Sequence, residues 1–128
     1  MKYVILIHSN PQPWGHPTGA FIAAQQEQTA EQREHLEHGF EQMLTELSAS
    51  GELVGGEALG SPQSARLLRW EGGRQVVTDG PYAESKEHLA GFFLIDVASQ
   101  ERAEEVVAAF SGPGETVELR PAWSDPEG

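Results

Sequence analysis

Apolar residues follow two spacings along the chain, and together these predict six strands and two helices. Residues 3–8 and 89–97 are almost continuously apolar, which is typical of strands buried on both faces. Shorter apolar segments predict strands at 53–57, 66–70, 75–78 and 116–120. The sequence Glu-Gly-Gly-Arg at 71–74 lies between two of these segments and predicts a β-hairpin. We expect the strand at 53–57 to enter a bend at its two glycines.

Two segments have the apolar spacing of a helix and residues suited to its ends. Thr29 and Gln32 form a capping-box pattern, and the helix that follows is predicted to end near Ser50, with Gly51 as its left-handed cap. Its apolar face contains Leu36, Phe40, Met43, Leu44 and Leu47. A second helix is predicted after the capping residue Ser99. Its apolar face contains Ala103, Val106, Val107 and Phe110.

The remaining segments are predicted to connect these elements, and together they form one domain. Residues 9–19 include three prolines and two glycines and are predicted to form a loop, and 21–28 a short helix or an irregular lead-in. The order is therefore β-α-β, a hairpin and β-α-β, which predicts a ferredoxin-like α+β fold with an inserted β-hairpin. We expect a single domain over 1–123 and a disordered tail at 124–128.

Composition and charge narrow the classes of function. A chain of 128 residues and 13.9 kDa has the size of one domain. Without cysteine it forms no disulfide, thiolate nucleophile or cysteine-ligated metal site. Its net charge of −12 argues against nucleic acid and anionic membranes as partners. The apolar N-terminal stretch is too short for a membrane span and lacks a cleavage site, so we expect a cytoplasmic protein.

The two long apolar strands also predict a partner. Two helices joined by right-handed crossovers lie on one side of a sheet, and the other side would expose a large apolar patch on a monomer. A second copy covers such a patch with one self-complementary surface. We therefore expect a homodimer with packed sheets.

One segment resembles a known family. Thr78-Asp79-Gly80-Pro81-Tyr82-Ala83-Glu84-Ser85-Lys86-Glu87, followed by the apolar strand 89–96, resembles the DGPF-type branch of the YCII-related family, with Tyr82 in place of Phe and Ser85 in place of Thr. Further matches are Lys2-Tyr3, Gly56-Glu57-Ala58-Leu59 and Val117-Glu118-Leu119-Arg120-Pro121. The resemblance covers roughly residues 1–123. It implies a ferredoxin-like fold paired into a dimeric α/β barrel.

The resemblance says less about chemistry. Some YCII-related proteins are thought to use a His–Asp pair, and at least one kind eliminates chloride from a chlorinated aromatic. A count back from Gly51 places Phe40 and Ala49 at those two positions, so this chain lacks that pair. Some DGPF-type members are encoded beside extracytoplasmic-function sigma factors, which is a hint of a regulatory role.

Two candidate residues lie in the segment that carries the resemblance. Asp79 precedes Gly80-Pro81, and its carboxylate either accepts a backbone N–H in an Asx turn or serves as a base or ligand anchor in a cleft. Tyr82 is either an aromatic wall of that cleft, with a phenol able to donate a hydrogen bond, or a packing residue.

Three charged residues are candidates for ligand binding. Glu57 follows the glycines of the second strand and, inside a barrel mouth, needs a cationic partner, for which Arg120 or Arg33 is suitable. Arg33 lies near the apolar helix face, one turn before the core begins, where it either pairs with an internal carboxylate or binds an anionic ligand.

His8 and Trp14 complete the candidate set. His8 ends the first buried strand and is either a proton-transfer group at a cleft or a strand-end capping residue. Trp14 lies in the proline-rich loop and either closes over a ligand or pins that loop. His35 and His38 are three apart on the solvent side of the first helix, so we expect no metal site, and no cofactor motif is present.

Two functions remain open from the sequence. One is cofactor-free acid–base catalysis on a small, partly apolar or anionic ligand, with Asp79 or His8 moving the proton and Arg33 or Arg120 holding an anionic group. The other is a non-catalytic ligand-binding or interaction module linked to transcriptional regulation, for example through a sigma factor.

Overall fold

The strands and helices of the protein are taken from a computed structural model that describes residues 1–10, 14, 29–81, 88–112 and 115–124, without the side chains of Arg33 and Leu36. Within these residues there are six strands, two α-helices and one short 3-10 helix. The strands are β1 (Lys2–Ser9), β2 (Leu53–Ala58), β3 (Arg66–Glu71), β4 (Arg74–Asp79), β5 (His88–Asp96) and β6 (Thr116–Pro121). The helices are α1 (Ala30–Ser50), α2 (Gln100–Phe110) and the 3-10 turn Pro62–Ser64.

The ends of both α-helices confirm the predicted caps. The Thr29 hydroxyl accepts the backbone N–H of Gln32 at 3.1 Å, and the Gln32 side chain accepts the backbone N–H of Thr29 at 2.9 Å. Gly51 closes α1 with φ of 81°, in the left-handed region. The Ser99 hydroxyl accepts the backbone N–H of Arg102 at the start of α2. Local sequence therefore sets where each helix begins.

Four strands form one antiparallel sheet in the order β2-β5-β1-β6. The two longest strands, β1 and β5, lie in its centre, and the two shorter strands form its edges. Two interleaved β-α-β units produce this order, because each helix returns the chain to a strand beyond the nearest neighbour. The α+β class predicted from the sequence is confirmed.

One face of this sheet packs against both helices and forms the core. We call it the helix face and define it by Tyr3, Ile5, Ile7, Phe93 and Ile95. Its cross-strand pairs are Tyr3 with Ile95 and Ile5 with Phe93, and Ile5 and Ile95 are fully buried. The helices contribute buried core residues and partly buried ones packed against them: Leu47, Ala103, Val106 and Phe110 are buried, and Phe40, Met43, Leu44 and Val107 are partly buried. The described residues of both predicted apolar faces thus pack in or against the core.

The alternate residues of the same strands lie on the other face of the sheet. We call it the open face and define it by Val4, Leu6, His8, Phe92 and Leu94, which alternate with the helix-face residues. These five residues are half-buried in the single chain. The prediction that β1 and β5 are buried on both faces thus holds for most of the helix face, where Tyr3, Ile5, Ile7 and Ile95 are buried, and only in part for the open face.

The predicted hairpin is present and forms a two-stranded sheet of its own, β3 with β4. Gly72 and Gly73 make the connection with φ of 59° and 80°. Two successive positive φ values are those of a type I′ turn, which glycine adopts without strain and which matches the twist of a hairpin. The hairpin therefore has a locally determined register.

The two glycines of the second strand, where a bend was predicted, do not end that strand. Strand β2 continues through Gly55 and Gly56 to Ala58, with one irregularity in its pairing between Leu53 and Gly55. A Cβ atom on Gly56 would lie 2.6 Å from the carbonyl oxygen of Phe92. Gly56 is thus required for close approach of β2 to β5 and not for a change of direction.

Some predictions fall where the structure gives no description. The lead-in at 21–28, Tyr82, and the tail beyond residue 124 lie outside the described residues, as does all of the loop at 9–19 except residues 9, 10 and 14. Among the helices that are described, none is long and apolar enough to cross a membrane.

Candidate functional site

The open face combines an apolar centre with charged edges. Across the two central strands, Val4 lies opposite Leu94 and Leu6 lies opposite Phe92. On the β6 edge, the residues on this face are Thr116, Glu118 and Arg120. On the β2 edge, Glu57 lies opposite Phe92. An apolar surface bordered by ionisable groups is suited to a ligand that is apolar in part and charged at one end.

Three side chains at the β6 edge form a connected polar cluster, His8–Glu118–Arg120. The Nε2 atom of His8 lies 3.3 Å from Oε1 of Glu118. Arg120 donates from a terminal guanidinium nitrogen to Oε2 of Glu118 at 2.7 Å. Both oxygens of the carboxylate are therefore engaged, and Glu118 is fixed between a titratable ring and a permanent cation.

This geometry determines the protonation of the cluster. The hydrogen bond from His8 lowers the pKa of Glu118, partial burial opposes this, and the charge of Arg120 lowers it further. An ionised carboxylate accepts hydrogen bonds and donates none, so Nε2 of His8 carries the proton. In the neutral imidazole Nδ1 then bears the lone pair. The cluster can therefore supply a general base oriented by a carboxylate.

The cluster is partly accessible to solvent. The side chains of His8 and Glu118 are 32% and 37% exposed, whereas that of Arg120 is 67% exposed. A ligand on the open face can therefore reach the imidazole, and the guanidinium retains N–H donors for an anionic group. The same exposure lets water and salt screen the cluster in a single chain.

Among the predicted site residues whose side chains are described, the structure connects two, His8 and Arg120. His8 and Arg120 both contact Glu118, so they belong to one site. Glu57 is exposed on the opposite edge of the open face, and the partner of Arg120 is Glu118, not Glu57. Of the two cationic partners suggested for Glu57, Arg120 therefore binds Glu118 instead, and the side chain of Arg33 lies outside the described residues.

Asp79 lies away from this cluster, at the end of β4 in the separate hairpin sheet. Its carboxylate lies 3.5 Å from Nε of Arg66, directly across the hairpin, and its side chain is 86% exposed. Gly80, the next residue, has φ of 97° and donates its backbone N–H to the carbonyl of Ala65. Asp79 thus pairs with Arg66 where β3 begins and β4 ends, at the end of the hairpin away from its turn. Its role in a cleft stays a prediction.

Trp14 is tied to the end of β2. Its indole Nε1 donates to the carbonyl oxygen of Leu59 at 3.1 Å. The backbone N–H of Leu59 in turn donates to Ala90 of β5. This supports the interpretation of Trp14 as a residue that pins its loop. The side chain of Arg33 and all of Tyr82 lie outside the described residues.

Glu118 was not selected from the sequence, although a usable pattern was present. Val117 and Leu119 pack against the core, so the residues that alternate with them share the open face. The same alternation in β1 assigns His8 to that face. The pairing of β6 with β1 brings the imidazole and the carboxylate together. The register of that pairing cannot be deduced from the sequence of either strand alone.

Three further residues singled out from the sequence lie on α1: Phe40, His35 and His38. Phe40 packs edge-on against Phe93 and Phe110 with ring centroids 6.2 and 5.0 Å apart. His35 and His38 are exposed on α1. Within the described residues, no three metal-ligating His, Asp or Glu side chains gather.

Comparisons with known proteins identify the family. The YCII-related domain matches residues 1–119, and the chain therefore belongs to the YCII-related family. A segment of 40 residues is 52% identical to an uncharacterized protein of Rhizobium meliloti (strain 1021). That match covers 31% of this chain and 32% of the relative, so the chain spans about a third of the length of the curated relative it matches.

Proposed function

We propose that this YCII-related protein, of the DGPF-type branch, is a homodimeric enzyme that performs cofactor-free acid–base chemistry on a small, partly apolar anion. The observation that carries the proposal is the contact of 3.3 Å between His8 Nε2 and Glu118 Oε1 beside an apolar sheet face. The assignment to the branch is supported by the sequence at 78–87, with Tyr82 and Ser85 as its departures.

The proton-transfer step follows from the roles of the three side chains. Nδ1 of neutral His8 accepts a proton from the ligand, and the ring becomes an imidazolium. The anionic Glu118 stabilises that imidazolium and holds the ring in place. Arg120 keeps Glu118 ionised and binds the anionic group of the ligand with its remaining donors. No cofactor is needed for such a step.

The apolar centre of the open face explains the proposed ligand class. Val4, Leu6, Phe92 and Leu94 would pack against a ring or a short hydrocarbon chain, whereas the charged group would lie toward the β6 edge. A second copy packed over this face would exclude water and strengthen the electrostatic interactions within the site. Trp14, Glu57 and Asp79 would then contribute to its rim.

Imidazole ¹⁵N NMR tests the His8–Glu118 pair directly. We expect His8 in the neutral form to be the Nε2–H tautomer, and Glu118→Gln to mix the two tautomers because an amide both donates and accepts. His38→Gln, a change of an exposed histidine on α1, is the matched control and leaves the His8 resonances unchanged. A dominant Nδ1–H tautomer in the unaltered protein would contradict the proposal.

Ligand binding is tested with a panel of small aromatic and aliphatic carboxylates followed by NMR shift changes and native mass spectrometry. We expect one or more to shift the resonances of His8 and Leu6, and Arg120→Gln to weaken this binding about tenfold, as loss of a charged hydrogen bond does. Binding without turnover, unchanged by His8→Gln, would favour the non-catalytic module linked to a regulatory partner such as a sigma factor.

Sedimentation equilibrium at low micromolar concentration tests the dimer. A well-folded species of 13.9 kDa at all concentrations would remove the second copy from the proposal and leave the His8–Glu118 pair to be judged by the NMR experiment.

A further inference from the structure

Strand β5 holds one more residue than its pairing with β1 requires. Up to Ile7 the two strands keep one register, in which Ile7 lies opposite Gly91. The next pair is His8 with Leu89, so Ala90 has no counterpart in β1. An extra residue of this kind is a β-bulge, and bulges are frequent beside active sites, where they redirect a side chain.

The bulge decides which side chain of β5 accompanies His8. Strict alternation from Phe92 on the open face would place Ala90 on that face and Leu89 on the helix face. The extra residue reverses this assignment: Leu89 lies directly opposite His8 and is 38% exposed, whereas Ala90 is 4% exposed. Leu89 therefore shares the open face with His8.

Backbone contacts with β2 hold the bulge in place. The carbonyl oxygen of Ala90 accepts the backbone N–H of Leu59 at 2.8 Å. A Cβ atom on Gly91 would lie 3.0 Å from the carbonyl oxygen of Glu57, so β2 approaches β5 closely at this point. The bulge is thus enclosed between two strands, and the position of Leu89 is built into the pairing of the sheet.

His8 consequently has an apolar neighbour on one strand and a charged neighbour on the other. Side chains directly opposite each other in an antiparallel pair have Cβ atoms about 5 Å apart, which brings Leu89 beside the imidazole. On the β6 side, Nε2 of His8 lies 3.3 Å from Oε1 of Glu118. The two neighbours differ in role, because Glu118 orients the ring and Leu89 occupies space next to it.

We infer that Leu89 is a specificity-determining residue, which limits the size of the apolar group that a ligand places beside His8. The inference rests on the proposed function, since it concerns the ligand whose proton His8 would accept. It narrows the ligand class to carboxylates with a compact apolar group near the acidic proton and the anionic group toward Arg120. A difference of one or two methylene groups at such a contact discriminates between ligands about tenfold or more.

The placement of Leu89 is tested without a ligand, by ¹³C-edited NOE spectroscopy. We expect the ring protons of His8 to show stronger contacts with the methyl groups of Leu89 than with the methyl group of Ala90. His8→Gln removes the ring resonances and verifies their assignment. Stronger contacts with Ala90 would mean that the two strands pair regularly, and would overturn the inference.

Selectivity is tested by NMR titration with two probes that differ only in bulk, benzoate and para-tert-butylbenzoate. We expect Leu89→Ala to shift the ratio of their dissociation constants about tenfold in favour of the bulkier probe, and Leu89→Phe to shift it the other way. Leu68→Ala and Leu68→Phe, the same changes at an exposed leucine of the hairpin, are the matched controls and leave the ratio unchanged. Both probes meet the same folded fraction, so a loss of stability does not alter the ratio.

Failure of the inference is distinguishable from failure of the proposed function. A ratio unchanged by both substitutions of Leu89, while Arg120→Gln still weakens binding, would overturn the role of Leu89 and leave the site. If no carboxylate bound the unaltered protein or any variant, the proposed ligand class and the role of Leu89 would both be overturned. The His8–Glu118 pair would still be decided by the tautomer of the imidazole.

Discussion

The two faces of the central sheet are formed by the same strands but differ in burial and in the side chains they carry. Ile5 on the helix face is fully buried beneath α1 and α2, whereas its neighbour Leu6 on the open face is half-buried beside Glu118. The helix face is covered by the two helices of the same chain, and its residues pack in one core with them. The open face keeps apolar and ionisable side chains together, which a buried core would not tolerate without full pairing. Packing on the helix face therefore stabilises the single chain, whereas the open face presents ionisable side chains that a ligand could reach.

The largest expected effect on stability comes from truncating one side chain on each face of the sheet. Ile5→Ala removes packing from a fully buried site, and we expect it to lower the free energy of unfolding by about 3 kcal/mol. Leu6→Ala should cost about 1 kcal/mol at low protein concentration, and more when the proposed dimer forms. Urea unfolding at two concentrations measures both. An equal, concentration-independent cost would contradict the distinction between the faces.

The neighbouring glycines of β2 sharpen the same comparison. A Cβ on Gly56 would lie 2.6 Å from the Phe92 oxygen and 2.8 Å from Cδ1 of Phe93, whereas a Cβ on Gly55 meets nothing within 4 Å. We expect Gly56→Ala to lower the free energy of unfolding by about 2 kcal/mol, because backbone has to move. Gly55→Ala, the matched control, should be neutral or slightly stabilising. Thermal and urea unfolding measure the two; similar losses would mean that the pairing of β2 with β5 is looser than described.

Carboxylates on the two sides of the sheet should respond differently to acid and salt. Glu52 makes two hydrogen bonds of 3.0 Å to Arg102 of α2, and these bonds, with one from Ser50, lower its pKa from the ordinary value of 4.5. A lowered pKa in the folded state means that this stabilisation is complete above about pH 5 and is lost as the pH falls through the folded-state pKa. We expect Arg102→Met to lower the free energy of unfolding by about 1 kcal/mol at neutral pH and to flatten its acid dependence.

Glu118 provides the comparison for this pair. Its pKa is lowered in the same direction by His8 and Arg120, so its contribution has the same sign with pH, but its side chain is more exposed. We expect about 0.5 M salt to abolish the effect of Glu118→Gln on acid unfolding and to leave most of the effect of Arg102→Met. If salt reduced the effects of Glu118→Gln and Arg102→Met equally, the two carboxylates would be equally screened by solvent ions, which would contradict this expectation.

The smallest expected effect concerns Ser9, the last residue of β1. It is fully buried, and its Oγ has no hydrogen-bond partner within the described part of the chain. We expect Ser9→Ala to leave the free energy of unfolding unchanged or to raise it by up to about 1 kcal/mol, because it removes an unsatisfied polar atom. Ser64→Ala, which removes a bond of 2.6 Å to the Ser61 carbonyl, is the control. A clear loss of stability in Ser9→Ala would show that the hydroxyl is satisfied in solution.

Features governed by near neighbours in sequence were predictable. The caps Thr29 and Ser99, the left-handed Gly51 and the Gly72–Gly73 turn each depend on a few adjacent residues, and the structure has them where the sequence predicts. The class of the fold also followed, because the order of apolar spacings limits how two helices and one sheet can pack.

Features governed by contacts between distant segments were not predictable in the same way. The glycines of β2 suggested a bend, although Gly56 instead permits contact with Phe92, a residue 36 positions later. Glu118 was not selected at all, because its contact with His8 joins strands at opposite ends of the chain. In both cases the long-range partner depended on strand register.

The sequence by itself determined the elements, their caps and the alternation that assigns each strand residue to one of two faces, because these depend on local backbone preferences and on the period of the side chains. Only the tertiary structure decided that β6 lies beside β1 with Glu118 against His8, since strands more than 100 residues apart are brought together by the packing of the whole sheet. A one-residue change in that register would move Glu118 to the helix face and remove the cluster. The candidate site is therefore a property of the fold, built from residues that each strand supplies for its own local reasons.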